Sequence, residues 1–250
     1  MRNLGKVAIV GVVVGSSAFG AALVACSSSG DDSASLPDAA LDVQRYDVVT
    51  DDDAGATVCT PQLPAGYSHT WAPPRNMPSA CTPSQVQMYW DTCLGTSSSN
   101  AQCSAFFSAN AGCIACIDSQ STDSTYGALI NLPDGTSAAN VAGCIALTDG
   151  DLSATGCGAR YQANQFCKID ACETNCPVDT TAASYTAFSN CQADAGGTVC
   201  KTELANSGCG SAAQFSRCMF TTYEDYIVGI GNIMCASAFD GGTADGGDGG

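Results

Sequence analysis

The sequence predicts an all-α domain: short helices in degenerate helix–loop–helix units, stapled by disulfides, between a disordered N-terminal tether and a flexible C-terminal tail. Three observations predict it. Sixteen of the 17 cysteines fall between Cys59 and Cys235, close to the density that marks a disulfide scaffold. Within that span apolar residues recur at helical spacing, and few stretches alternate as half-buried strands do. On either side the chain turns acidic and poor in large apolar residues, a composition that does not collapse into a core.

Residues 1–25 read as an export leader. Arg2 and Lys6 are the only charges in the first thirty residues, and an uncharged run from Val7 to Ala25 follows. A basic start, an apolar middle and small residues at the end form the layout of a secretory signal peptide. The run approaches the roughly 20 residues that span a bilayer. Gly11, Gly15, Ser16, Ser17 and Gly20 dilute it, however, and no basic stop-transfer cluster follows. A cleaved leader is the expectation.

The leader ends in Leu23-Val24-Ala25-Cys26, which resembles the lipobox of bacterial lipoproteins. That resemblance implies cleavage before Cys26, acyl chains on its sulfur and new amino end, and a mature chain beginning at residue 26. Two or more acyl chains hold a protein stably on a membrane where one does not. Ser27 stands where an Asp would favour the inner membrane, so the resemblance implies the outer membrane or cell surface. The cysteine-rich domain between acidic Asp/Gly flanks is also similar in composition to the lipoproteins abundant in myxobacterial genomes. That likeness implies no activity.

With Cys26 assigned to lipid, an even number of cysteines is left: Cys59, Cys81, Cys93, Cys103, Cys113, Cys116, Cys144, Cys157, Cys167, Cys172, Cys176, Cys191, Cys200, Cys209, Cys218 and Cys235. An exported location is oxidising, so all of them are expected in disulfides. Spacing does not fix the pairing, although Cys59 and Cys81 are placed to close the loop between them.

Residues 26–58 carry the lipidated cysteine and an acidic, serine-rich spacer with eight aspartates after Ser27. Such a segment repels itself and stays extended. Asp51-Asp52-Asp53 lacks the alternating ligands and glycine pivot of a calcium loop, so it reads as a solvated charge run. Residues 59–239 form the folded part, and residues 240–250, rich in Gly and Asp, form a flexible tail. The folded part opens on a proline-rich loop, 59–82, where Pro61, Pro64, Pro73, Pro74 and Pro78 rule out regular helix.

The first helix is announced by Thr82-Pro83-Ser84-Gln85, an N-cap, a proline in the first turn and the glutamine of a capping box. Val86, Tyr89, Trp90, Cys93 and Leu94 then follow at helical spacing, and Gly95 can end it. Further helices are expected at 100–108, 140–147, 159–173, 182–190, 198–205 and 211–220. A last one runs from Tyr223 to Met234, despite Gly229 and Gly231. Cys93-x9-Cys103-x9-Cys113 is echoed by Cys191-x8-Cys200-x8-Cys209. The endings Ser-Ala-Asn-Ala-Gly-Cys113, Leu-Ala-Asn-Ser-Gly-Cys209 and Ala-Asn-Val-Ala-Gly-Cys144 suggest a repeat with a cysteine just beyond each helix end.

The formal net charge of −16 repels phosphate backbones and disfavours nucleic acid. Cys113-Ile-Ala-Cys116 is the sole Cys-x-x-Cys, but no basic neighbour is placed to lower a thiol pKa. Cys167, Cys172 and Cys176 could approach a zinc ion, yet an oxidising compartment favours bridges. His69 is the single imidazole and lacks a nucleophile motif to activate. Asp149/Asp151 and Glu224/Asp225 read as loop and helix-surface charges rather than a glycosidase pair. No metal or cofactor is implied, and no constellation points to an enzyme. Tyr67, His69, Trp71, Tyr89 and Trp90 gather within 24 residues of sequence. Aromatics with polar tips suit a recognition surface, although packing of the proline loop on the first helix would also place them together. The leading expectation is a binding or adhesion module for a protein or glycan ligand, held to the membrane through Cys26. A structural envelope component comes second, and a thiol–disulfide oxidoreductase using Cys113/Cys116 third.

Overall fold

A computed structural model describes residues 8–9, 59–179, 181–209 and 212–236. Cys26, the acidic spacer, residues 240–250 and all of the leader except residues 8–9 lie outside the described residues. The described part is mostly helical and carries a small sheet.

Thr82 caps α1 (Pro83–Tyr89) as its sequence requires: Gln85 N–H donates to Thr82 Oγ1, and Gln85 Oε1 accepts from Thr82 N–H. The helix continues as a π-helical turn, Trp90–Leu94, closed by Gly95 N–H donating to Trp90 O at 2.7 Å. Ser99 caps α2 (Asn100–Ala109), and Asn110 hinges it to α3 (Ala111–Ile117). Helix α3 was not expected from the sequence.

A small sheet accompanies the helices and leaves the mostly helical, disulfide-stapled class expected from the sequence intact. It comprises β1 (Ala8–Ile9), β2 (Asp118–Gln120), β3 (Leu129–Asn131) and β4 (Thr136–Ala139), in the order β1-β4-β3-β2. β2 and β1 run parallel to their neighbours, and β3 and β4 form an antiparallel pair. All four β4 residues are buried, so no polar–apolar alternation marks it in the sequence.

Helix α4 (Val141–Asp149), capped by Asn140 and ended by Gly150 in the left-handed region, sits at the centre, with Val141 to Leu147 all buried. Across it lies α5 (Cys157–Glu173). Their approach depends on Gly158, where a Cβ would lie 2.6 Å from both Ala142 O and Ala146 Cβ. α6 (Ala182–Gly197) and α7 (Lys201–Ser207) pack on α5. α8 (Ala212–Cys218) and α9 (Tyr223–Gly231) return to α4, and a π-helical turn, Asn232–Ala236, closes the described chain. The glycine that interrupts α9 has a packing cause: the Phe220 ring occupies the space a Cβ at Gly229 would need.

All sixteen cysteines of the folded part are bridged: Cys59–Cys176, Cys81–Cys113, Cys93–Cys103, Cys116–Cys235, Cys144–Cys218, Cys157–Cys209, Cys167–Cys200 and Cys172–Cys191. Three expectations change. Cys59 does not pair with Cys81, because the proline segment runs along α5 and brings Cys59 to that helix's far end. The echoed spacings do not carry echoed pairings: Cys93 and Cys103 bond each other, whereas Cys191 and Cys200 bond cysteines of α5. Finally, Asn140 begins a helix where the repeat would have it end one, and Cys144 and Cys113 lie inside α4 and α3.

Candidate functional site

The proline segment 59–82 is a strap laid antiparallel along one face of α5. Gln62 N–H donates to Ala171 O at 2.8 Å near the helix's end, and Ala72 meets Gln162 near its start. Gln162, fully buried, accepts from Ala72 N–H at 2.9 Å and donates to Ala72 O at 3.0 Å. Those two bonds fix which end of the carboxamide is oxygen. His69 Nε2, 2.9 Å from that oxygen, must therefore be the donor, which sets the tautomer.

Beyond the strap the loop after β2 is pinned by Arg75. Its guanidinium donates to Ala115 O, Asp118 O and, at 2.7 Å, to Asp123 Oδ2. Pro73 O accepts from Tyr126 N–H, and Tyr126 O accepts from Arg75 N–H, a strand-like clasp between strap and loop. The Tyr126 hydroxyl donates to Ser121 O at 2.7 Å.

Between strap, loop and helix lies an open cleft of about 470 Å³. Phe166, Asp170 and Glu173 succeed one another along α5 at intervals of four and three, a single helical stripe facing it, with the buried Gln162 one turn before them. The Phe166 ring is the floor, stacked between His69 at 4.6 Å and Tyr126 at 5.7 Å. Trp71 forms one wall, and its indole N–H donates to Leu152 O at 3.0 Å, which fixes the ring at the rim beside the exposed Leu152 side chain. Asp123, Asp170, Glu173 and the Ser121–Ser124 hydroxyls supply the polar lining.

The electrostatics separate the three carboxylates. Asp123 is held by Arg75. Burial raises the pKa of Asp170, partly offset by the Tyr67 hydroxyl. Burial, then Asp134 and Asp170, raise that of Glu173. No basic group contributes to either shift among the described residues. The Tyr67 hydroxyl is itself buried without a well-formed hydrogen bond, and burial followed by Asp170 pushes its pKa up. Burial also lowers the His69 pKa, so the ring favours its neutral form. Two partly buried carboxylates thus face the cleft with hydrogen-bonding capacity to spare.

Of the aromatics singled out from sequence, His69 and Trp71 line the cleft and Tyr67 stands behind it at Asp170. Tyr89 and Trp90 are elsewhere. Tyr89 is buried against Phe106 and Phe107, and Trp90 meets Tyr223 edge-on at 5.8 Å. Sequence reasoning missed Asp170 and Glu173, which look like an ordinary solvated helix face. Their like charge three residues apart, unfavourable on an isolated helix, was the available signal.

The remaining candidates resolve plainly. Cys113 and Cys116 bond Cys81 and Cys235 instead of each other, and both are buried. Cys167, Cys172 and Cys176 are each in a bridge, and no metal-binding cluster exists among the described residues. Asp225 accepts from Thr222 N–H in the capping box of α9, and Asp151 accepts from Ser153 N–H. No helix among the described residues is long and apolar enough to cross a membrane. No family model, curated protein or solved structure matches the chain.

Proposed function

We propose that this protein is an exported lipoprotein, anchored through Cys26 in the outer membrane or at the cell surface, whose folded domain is a binding module for glycans. The observation that carries the reading is the pairing, in one cleft, of a fixed, partly exposed indole at Trp71 with the partly buried carboxyls of Asp170 and Glu173. An aromatic face covers the C–H side of a sugar ring. The carboxyls and the Ser121–Ser124 hydroxyls complement its hydroxyl groups. Few, convergent polar groups on an apolar floor are the usual make-up of a small-ligand site.

Glycan-array screening of the mature protein tests the ligand, with Trp71→Ala and Asp170→Asn as controls. Retained glycan binding in both variants would move the site elsewhere. The anchor is tested apart from the ligand: Cys26→Ser should free the protein from membranes, and intact mass should show acyl chains on a chain beginning at residue 26.

A further inference from the structure

The outer edge of β4 forms a second site, remote in character from the cleft. β4 bonds to its neighbours through Thr136, whose carbonyl accepts from Leu132 N–H at 2.9 Å, and Asn140, whose N–H donates to Ala128 O at 2.9 Å. Backbone groups alternate between edges along a strand, so those of Ser137 and Ala139 face the other way. That edge lies in a slot walled by Ile169 and Gln165 of α5, Phe188 and Gln192 of α6, and Tyr223 of α9.

Within the slot the Ser137 carbonyl accepts from the Tyr223 hydroxyl at 3.3 Å, and the Ala139 carbonyl from Gln165 Nε2 at 3.3 Å. Two acceptors are left over. Gln165 Oε1 and Gln192 Oε1, on side chains more than nine-tenths buried, have no partner among the described residues. An unsatisfied buried acceptor costs about 1–3 kcal/mol. The slot therefore wants hydrogen-bond donors carried on something narrow and apolar. An extended peptide with uncharged side chains has that chemistry, since its N–H groups point sideways at regular intervals.

An extended segment of this chain pairs with that edge. β1 lies parallel to β4 with Ala8 opposite Thr136 and Ile9 opposite Ser137. Cleavage before Cys26, on which this argument rests, removes β1 and exposes an edge that unpaired backbone groups make adhesive. The chain's own flanks are poor replacements, because the spacer and tail are studded with aspartate.

We infer that the mature protein uses the β4 edge to accept an extended, uncharged aliphatic strand from a partner protein, added parallel to β4. This is strand addition, in which backbone bonds supply affinity and the flanking pockets select side chains.

The probe is a fluorescent peptide of residues 7–12, Val-Ala-Ile-Val-Gly-Val, titrated into the mature chain 26–250 carrying Cys26→Ser. Saturable binding is expected, with slowed hydrogen exchange at the Ser137 and Ala139 amides. In a parallel ladder at this register the N–H of peptide residue 10 reaches the Ser137 carbonyl. Val10→Pro in the peptide should therefore weaken binding about tenfold or more. Because that change is in the peptide, folding of the protein is untouched. Absent binding, or equal binding of the proline and scrambled peptides, overturns the strand slot. Intact mass of the cellular protein is a separate readout: residues 1–25 still attached would defeat the processing premise and leave the peptide result standing.

Discussion

Gln162 and Ala72 exchange a complete pair of hydrogen bonds, carboxamide to backbone, at 2.9 and 3.0 Å. The side chain imitates a neighbouring strand at the point where the strap crosses the start of α5. It holds the strap, and with it His69 and Trp71, in register with Phe166 and Asp170. Gln162→Leu leaves the Ala72 N–H and C=O without partners, and each buried orphan costs about 1–3 kcal/mol. We expect a loss of at least about 2 kcal/mol from chemical denaturation, with a changed Trp71 environment in fluorescence. An unaltered denaturation midpoint would show that the strap is held by other contacts.

The cleft carboxyls should be bound at the expense of stability. The folded pKa values of Asp170 and Glu173 are raised above their ordinary values of 3.8 and 4.5. Their contribution is fully present below those ordinary values and is lost as pH rises through the raised ones. At neutral pH both carboxyls therefore oppose folding. Asp170→Asn with Glu173→Gln should make the protein more heat-stable at pH 7, match the parent near pH 3, and abolish glycan binding. A double variant less stable than the parent at pH 7 would show that the ionised carboxylates serve the fold.

His69 has the opposite dependence. Its folded pKa is depressed below 6.5, so its contribution is present above 6.5 and lost as pH falls through the folded value. Between those limits His69→Gln should reduce the pH slope of stability measured by thermal melts. An unchanged slope would mean that the ring titrates as it does in the unfolded chain.

The two tryptophans should separate function from stability. Trp71 stands part-exposed at the rim, its indole N–H donating to Leu152 O, so Trp71→Ala should remove ligand binding at a cost within about 0.5 kcal/mol. Trp90 packs edge-on against Tyr223, and Trp90→Ala should cost about 2 kcal/mol or more while leaving ligand affinity unchanged. Calorimetry and glycan titration on both variants read this directly. The reverse pattern would relocate the binding surface to the first helix.

Bridges should differ by the length of chain they close. Cys116–Cys235 spans 119 residues and Cys93–Cys103 spans 10. Chain entropy makes removal of the longer the costlier, by up to about 2 kcal/mol. Denaturant midpoints of the Cys116→Ala/Cys235→Ala and Cys93→Ala/Cys103→Ala pairs should fall in that order, and native protein should titrate with no free thiol in residues 59–236. Equal midpoints would mean that the other bridges already restrict the unfolded chain.

The helices were legible where local chemistry decides them. Thr82 and Gln85 form the capping box their spacing implies, and Tyr223, Tyr226, Ile227 and Ile230 are buried along one helix as their periodicity implies. Four strands of two to four residues and one short helix escaped, because neither β4, buried at every position, nor α3, with Gly112 near its start, carries a readable period. Half of the cleft was visible in the same way. Trp71 and His69 stood out as polar-tipped aromatics in a rigid segment. Asp170 and Glu173 acquire meaning only when the strap crosses α5, a contact between residues about ninety positions apart. Pairing of the cysteines is likewise set by which elements meet.

The bridge from Cys59 to Cys176 also governs how the domain responds to pulling. Tension applied from the N-terminal side would reach the described fold at Cys59 and cross the sulfurs to Cys176, three residues past Glu173. It thereby enters at the end of α5, which Cys172–Cys191 and Cys167–Cys200 fasten to the elements behind it. The strap is bypassed, and its bonds at Gln62 and Ala72 are spared from being peeled one after another. A load on that side would strain covalent links before it deformed the cleft.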